Sequence, residues 1–457
     1  MVEVTLKIEL SRDLRLSDIP EALKTKLIGK LTIPNPKWLE NARMGRWNRN
    51  VPKLLRFFHR HKETLWIPRG YLRQLIMMCR HDNIAYQMED FRRTLPSANF
   101  SFRGELKSFQ KKAVDKMLSR DFGTLNSPTG SGKTVMGLFM IAQRQQPALV
   151  VVHTKDLAYQ WIEQINRFFG IPESQIGLIG SGKKQIGDAI TVALVQSLYR
   201  CADVVSKRIG HVIVDECHRT PSRTFTDAVT EFDAKFMLGL SATPFRRDNL
   251  SNLIFWHLGD IHHSVDKSHL IEEGHILEAE IILRETDFEP YHDPVNSYSK
   301  MLLELTMNDD RNHLIALDVV KEIKKGEGVC LVLSDRKRHC ETLLSLLRYK
   351  HRVDADLLTG DLSNEQRKNV LHRLRSGAVP VVIATGQLVG EGFDCPTLTT
   401  LFLATPIRFS GRVLQYLGRV LRPAANKKSA RVYDYVDIKV GVLQSAAKHR
   451  QKVYANM

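Results

Sequence analysis

At 457 residues, with 43% hydrophobic and 26% charged residues, the chain has a soluble globular composition and room for two or three domains. No apolar run approaches the roughly 18 residues of a membrane span, and the first residues lack a signal-peptide pattern, so no membrane association is expected. The net charge of +17 points to a polyanionic partner. Cysteines at 79, 201, 217, 330, 340 and 395 form no Cys-x-x-Cys pair, which argues against a zinc site or disulfide framework and fits the cytoplasm.

The first 100 residues hold 19 Lys+Arg against 10 Asp+Glu, so more than half of the excess charge lies there. Residues 1–98 are read as a small basic accessory domain. Pro52 followed by Lys53-Leu54-Leu55-Arg56-Phe57-Phe58-His59-Arg60 predicts a helix. Its face would carry Lys53, Arg56 and Arg60, with Leu54, Leu55 and Phe58 turned to a core. With Arg43, Arg46 and Arg49 close by, that stripe is a candidate phosphate contact; a solvated face is the alternative.

From about 121 to 241, short apolar runs alternate with helical stretches. The runs are Ala148–Val152, Ile190–Val195, His211–Val214 and Phe236–Leu240, and an amphipathic segment lies at Leu157–Phe169. Such near-continuous apolar strands predict a parallel sheet covered on both faces. Within it, Ser127-Pro128-Thr129-Gly130-Ser131-Gly132-Lys133-Thr134 follows a strand and opens an apolar helix. Gly130 and Gly132 would let backbone N–H groups close around polyphosphate, Lys133 adds charge, and the Thr134 hydroxyl suits Mg²⁺. Ser127 stands where the strict pattern has its first Gly. About 80 residues later come Asp215-Glu216-Cys217-His218. Asp215 can hold the same Mg²⁺, and Glu216 can orient or deprotonate water. The two motifs together predict hydrolysis of a nucleoside triphosphate.

The alternation resumes near 328 with Val329–Leu333, Val379–Ile383, Thr400–Leu403 and Arg431–Asp434, which predicts a second doubly wound α/β unit without a phosphate loop. The expected boundaries are 1–98, 99–265, a connector at 266–300, and 301–457.

The motifs in order resemble superfamily 2 helicases and translocases over about 100–440. Leu106-Lys107-Ser108-Phe109-Gln110 resembles the adenine-reading segment, the loop and Asp215–His218 resemble motifs I and II, and Ser241-Ala242-Thr243-Pro244 resembles motif III. Val382–Gly386 with Gly390-Glu391-Gly392-Phe393-Asp394 resembles motif V, and Gln415–Pro423 with Gly418-Arg419 and Arg422 resembles motif VI. Asp-Glu-Cys-His and Gln-x-x-Gly-Arg-x-x-Arg-Pro are more similar to the DNA-acting group with XPB, the phage repair helicase UvsW and restriction motors than to DEAD-box RNA helicases.

The resemblance implies two tandem RecA-like domains that hydrolyse ATP with Mg²⁺ in order to move on DNA. It places Gln110, the loop residues, Gly392 and Asp394 at the nucleotide. Arg419 and Arg422 would stabilise the transferred phosphoryl group, and Gln415 would meet His218. It also implies nucleic-acid contacts from Thr154, Lys155, Gly180, Gln196, Ser197, Ser334, Arg336, Thr359, Gly360, Thr385 and Gly386. These small polar or basic residues would position phosphates without reading sequence. Three readings stay open: a DNA motor on duplex or branched DNA, an RNA helicase, and a nucleic-acid-binding motor subunit of a restriction or defence assembly. A nuclease or repair factor is a candidate protein partner.

Overall fold

In β1 (Leu6–Leu10) and β2 (Asp13–Ser17), apolar side chains at every second position face one way, and an antiparallel pair results. The computed structural model describes residues 5–219, 223–242, 251–386, 395, 397–407, 416–418, 420, 423, 427 and 430–455. After β2 come α1 (Glu21–Lys30), β3 (Thr32–Pro34), α2 (Pro36–Arg43), β4 (Leu54–Arg56), β5 (His59–His61), β6 (Thr64–Pro68), α3 (Leu72–His81) and β7 (Tyr86–Asp90). Five of the strands form a sheet in the order β5-β6-β2-β1-β7, while β3 and β4 pair separately. Leu23 and Leu27 of α1 join Leu75 and Cys79 of α3 over Leu6, Ile8 and Leu14 in one core.

The helix expected from Pro52 to Arg60 is absent, and β4 and β5 stand in its place. Leu55 and Phe57 are half-buried while Leu54 and Arg56 are exposed, so the period is two rather than 3.6. Backbone pairing of β4 with β3 settles the choice: Ile33 lies opposite Leu55. Lys53, Arg56 and Arg60 are all exposed, but they line no helical stripe.

Two compact units divide the chain: Met1–Ser127 with Gly132–Val265, and Asp266–Met457 with the loop residues Pro128–Ser131. In the first, the N-terminal sheet shares its core with a later segment. Leu253 and Trp256 of the helix Ser251–Leu258 pack into the cluster of Leu6, Leu14 and Leu75. Phe57 and Tyr71 lie 5.3 and 6.3 Å from the Trp256 ring. Arg69 is buried and donates to the Ala234 carbonyl at 2.9 Å, while Arg93 and Asp233 pair at 2.7 Å. Gly70 sits so close that an added Cβ would lie 2.3 Å from the Phe255 carbonyl oxygen.

The large sheet of this unit contains β8 (Phe122–Asn126), β9 (Ala148–Val152), β10 (Gly177–Gly180), β11 (Lys183–Gln185), β12 (Ile190–Leu194), β13 (His211–Val214), β14 (Phe236–Ser241) and β15 (Ile261–Ser264). Its order is β11-β10-β12-β9-β13-β14-β8-β15, parallel except for the short β10–β11 hairpin. The helix α4 (Ser108–Leu118) leads into β8, and α5 (Lys133–Arg144) and α6 (Lys155–Phe169) are crossovers between its strands. The wholly buried strands β9, β12 and β13 match the apolar runs that predicted them.

The second unit has six parallel strands in the order β16-β21-β20-β17-β19-β18. They are β16 (Ala279–Thr286), β17 (Val329–Ser334), β18 (Ala355–Leu358), β19 (Val381–Thr385), β20 (Leu398–Leu403) and β21 (Ala430–Asp437). Two α/β units with parallel sheets match the tandem RecA-like expectation. The stretch 266–300 is more than a connector, since β16 pairs with β21 over eight residues. With Glu280, Arg284 and Glu285 among its residues, β16 carries no long continuous apolar run. Buried Arg311 ties this sheet together, donating from Nε to Asp437 at 2.8 Å and from Nη1 to the Ala404 carbonyl at 2.6 Å. Among the described residues no disulfide joins the cysteines, and no helix is long and apolar enough to cross a membrane.

Gly70→Ala tests how firmly the N-terminal sheet is held. The three nearest atoms to its added Cβ are all backbone, at 2.3, 2.6 and 2.7 Å, so relief requires moving a helix end. Overpacking of this kind costs about 1–3 kcal/mol. A denaturant melt followed by buried-tryptophan fluorescence should show one cooperative transition at lower midpoint. An early, separate transition confined to the N-terminal sheet would show that it folds independently.

Candidate active site

The sheet order brings four strand ends together: β9, β13, β14 and β8 lie side by side, and each delivers a motif at its carboxyl end. Ligands of open α/β sheets bind at such ends. From β8 the chain enters the loop Ser127–Gly132, whose first N–H donates to the Ser241 carbonyl at the end of β14 (2.9 Å). Inside the loop, the Ser131 hydroxyl donates to the Pro128 carbonyl at 2.7 Å. Gly130 and Gly132 have φ of +91° and +83°, which favours glycine at both. A Cβ on Gly132 would also come within 2.5 Å of Gln110 Nε2.

Gln110 is therefore packed against the loop. It is 6% exposed, and its Oε1 accepts the Lys107 N–H at 3.0 Å, closing the first turn of α4. Lys133 and Thr134 start α5, where unpaired helix N–H groups favour an anion. The Lys133 ammonium donates to the Ser127 carbonyl at 3.3 Å and lies 3.8 Å from Glu216 Oε1.

Asp215 follows β13, and its N–H continues the ladder to the Val151 carbonyl at 3.0 Å. Its carboxylate is buried, accepting the Glu216 N–H at 2.9 Å and the Trp161 indole N–H at 2.8 Å. Burial and the adjacent Glu216 carboxylate push the Asp215 carboxyl above its ordinary range, and Trp161 and Lys133 act against that rise. Glu216 adopts φ of +47°, uncommon for a residue with a side chain. His218 Nδ1 lies 3.2 Å from Glu216 Oε2 and 3.0 Å from the Ser241 hydroxyl. Cys217 points into the core, where burial pushes its thiol well up.

A divalent cation fits this arrangement. It would offset the repulsion between two adjoining carboxylates in a site that keeps Asp215 from water. Asp215 and Thr134 are the residues expected from the sequence to hold it.

Trp161 is absent from the sequence-based set, as is the Ser241 hydroxyl that meets His218. Trp161 lies in the amphipathic segment that became α6, on its buried face with Ala158, Ile162 and Ile165. The available signal was chemical: a buried indole N–H needs an acceptor. Gly137 of α5 makes room for the indole, since a Cβ there would come 3.1 Å from Trp161 Cη2.

The expected nucleic-acid contacts divide by burial. Lys155, Gln196, Arg336 and Gly360 are exposed, and Thr154, Ser197 and Thr385 are half-buried. Thr154 caps α6 by accepting the Leu157 N–H at 3.4 Å. Gly180, Ser334, Thr359 and Gly386 are buried. The Ser334 hydroxyl lies 3.0 Å from His339 Nδ1 and accepts the Arg336 N–H at 3.1 Å, so it shapes a turn. Gly386 receives the Tyr416 hydroxyl on its carbonyl at 2.8 Å. Thr243, Pro244, Gly390, Glu391, Gly392, Phe393, Asp394, Gln415, Arg419 and Arg422 lie outside the described residues.

Two family models match. "Type III restriction enzyme, res subunit" covers residues 103–246, and "Helicase conserved C-terminal domain" covers 312–424. A protein described as a candidate ATP-dependent RNA helicase of Acanthamoeba polyphaga mimivirus is 23% identical over 79% of this chain and 69% of its own. The DNA 3'-5' translocase XPB2 of Sulfurisphaera tokodaii is 26% identical over 72% of this chain and 81% of its own. A fragment assigned to the HsdR subunit of a type I restriction enzyme from Vibrio vulnificus shares the fold, with TM-score 0.57 and 19% identity, over 77% of this chain and 66% of that one.

Trp161→Phe removes the N–H and, with its smaller ring, leaves part of the indole's space empty. A buried hydrogen bond to a charged group contributes about 1.5–3 kcal/mol, so the Mg²⁺ needed to tighten nucleotide binding should rise on the order of tenfold. The rise should be larger at pH 6.5 than at pH 8, because protons and Mg²⁺ compete for a carboxylate whose affinity for protons has increased. Titrations of a fluorescent nucleotide with and without Mg²⁺ measure this. Superimposable Mg²⁺ curves for variant and wild type at both pH values would remove Trp161 from the site.

Proposed function

The chain is a superfamily 2 helicase, a nucleic-acid-dependent ATPase related to XPB and the restriction motors, and from that membership we propose that it is an ATP-driven motor on duplex or branched DNA. The observation that carries the chemistry is the convergence of Lys133, Asp215 and Glu216, with the Lys133 ammonium 3.8 Å from the Glu216 carboxylate. Support for DNA comes from the Asp-Glu-Cys-His form of the second motif and from the relative named as a DNA translocase. The relative named as an RNA helicase supports RNA as the second reading.

In the proposed mechanism the loop N–H groups and the α5 N-terminus hold the triphosphate, and Lys133 offsets its charge. Thr134 and Asp215 would hold Mg²⁺, which when bound neutralises charge on the phosphates. Glu216 accepts a proton from the attacking water. His218, fixed between Glu216 and Ser241, orients that carboxylate and links it to the end of β14. Gln110 reads the adenine edge, and its packing on Gly132 couples recognition to loop shape. Gly392 and Asp394 contribute at the nucleotide, Arg419 and Arg422 stabilise the transferred charge, and Gln415 acts on His218. The exposed Lys155, Gln196 and Arg336 contact phosphates, as do Lys53, Arg56 and Arg60. A nuclease or repair factor as partner accords with the restriction-subunit relative.

ATP hydrolysis measured with single-stranded, duplex and forked DNA and with RNA tests the reading. Forked or duplex DNA should stimulate most; stimulation by RNA alone would favour the second reading. Glu216→Gln should lower DNA-stimulated kcat by roughly 10²–10⁴ while ATP still binds, since only the base is lost. Lys133→Ala should weaken ATP binding itself. Wild-type turnover by Glu216→Gln would remove Glu216 from the role of base.

A further inference from the structure

Between α2 and β4 the chain forms a loop that places Trp47 almost wholly in solvent, 85% exposed. The other four tryptophans are all more enclosed: Trp161 and Trp256 are buried, and Trp38 and Trp66 are half-buried. Exposing a whole indole forgoes the burial that aromatic side chains ordinarily gain. Other apolar side chains nearby in the chain are also exposed: Leu39 at 51%, Met44 at 54% and Leu54 at 44%.

The loop has a built conformation. Asn41 Nδ2 donates to Asn48 Oδ1 at 2.9 Å, and Asn48 Nδ2 donates to the Trp38 carbonyl at 3.1 Å. The Arg46 N–H reaches the Asn41 carbonyl at 2.8 Å. Asn35 closes the base, with its N–H on the Lys53 carbonyl at 3.0 Å and its Nδ2 on the Pro52 carbonyl at 2.8 Å. Trp47 thus projects from a loop tied down on both sides.

The charge around it has one sign. From 37 to 60 there are seven basic residues, Lys37, Arg43, Arg46, Arg49, Lys53, Arg56 and Arg60, and one acidic residue, Glu40. All seven are exposed, and among the described residues none has an ion-pair partner. Lys53 instead lies over the Trp38 ring at 5.4 Å. A contact with a protein core would be expected to leave fewer unpaired arginines around the aromatic. A contact with phosphate alone would need no aromatic.

We propose that this loop is a DNA-binding site in which Trp47 stacks on an unpaired base while the surrounding arginines and lysines hold the flanking phosphates. Base faces inside a duplex are already stacked, so the indole selects a strand end or a single-stranded arm beside a duplex. Stacking on an aromatic side chain is sequence-tolerant, because every base has a π-face. The proposal rests on the DNA-motor reading and adds to it the structure that the N-terminal sheet prefers.

The test measures binding of labelled forked DNA by anisotropy, without nucleotide, to wild type, Trp47→Ala and Trp47→Phe. Trp47→Ala should weaken binding roughly tenfold, and Trp47→Phe should restore most of it. A fork whose single-stranded arms carry abasic sites should bind wild type about as weakly as the intact fork binds Trp47→Ala, and the alanine variant should not distinguish the two forks. DNA should quench the exposed indole of wild type, a signal absent from Trp47→Phe. Equal affinity of wild type and Trp47→Ala for the intact fork would overturn the proposal and leave the patch to a protein partner. So would equal affinity of wild type for intact and abasic forks. ATPase at saturating DNA separates this from the reading beneath it. If DNA stimulates both proteins equally while Trp47→Ala binds forks normally, the loop assignment fails and the motor stands. If DNA stimulates neither, the motor reading fails.

Discussion

Asp215 is a carboxylate with 6% of its surface exposed, next in sequence to a second carboxylate. Taking that charge out of water is costly unless it is hydrogen-bonded or paired. The Trp161 indole, the Glu216 N–H and the nearby Lys133 supply the compensation, each from a different element. Around this carboxylate the rest of the first unit is arranged. Gly137 is small because the indole must reach inward, β13 ends where it does to deliver Asp215, and β9 receives its N–H. A site so built exists only when α5, α6, β9 and β13 are all in place.

The second constraint lies where the N-terminal sheet meets the helix Ser251–Leu258. That helix follows the motif beginning at Ser241, whose hydroxyl meets His218. The N-terminal core is completed by Leu253 and Trp256 from that helix, and Gly70 allows close approach to its last turn. Residues 1–98 are consequently packed as part of the ATP-binding unit rather than as a module on a tether.

Much of the active site was legible because its chemistry is local in sequence. The loop at 127–134 and the pair Asp215-Glu216 each carry their function within a few residues, since backbone N–H groups and adjoining carboxylates need no distant partner to be recognised. Trp161 was not legible in that way. Its apolar neighbours at 158, 162 and 165 made it read as core, which it also is. The same mixture holds at Ser334 and Gly386, whose polar or small character suggested phosphate contact and which packing also uses, inside a turn and beneath Tyr416. Composition marks what a residue can bind; burial decides what reaches it.

By itself the sequence determined the two parallel α/β units, the order of the motifs and the candidate phosphate and magnesium residues. Continuous apolar runs have few alternatives to a sheet covered on both faces, and a Gly-rich loop before an apolar helix has few alternatives to a phosphate cradle. Tertiary structure alone decided the rest. It turned Pro52–Arg60 from a predicted helix into strands, because pairing with β3 outweighs a weak local preference. It enlisted β16 from an apparent connector, through eight residues of pairing with β21. It also set the Trp161 N–H on Asp215 and left Trp47 in water. Pairing, burial and exposure are relations between distant residues, and no local pattern specifies them.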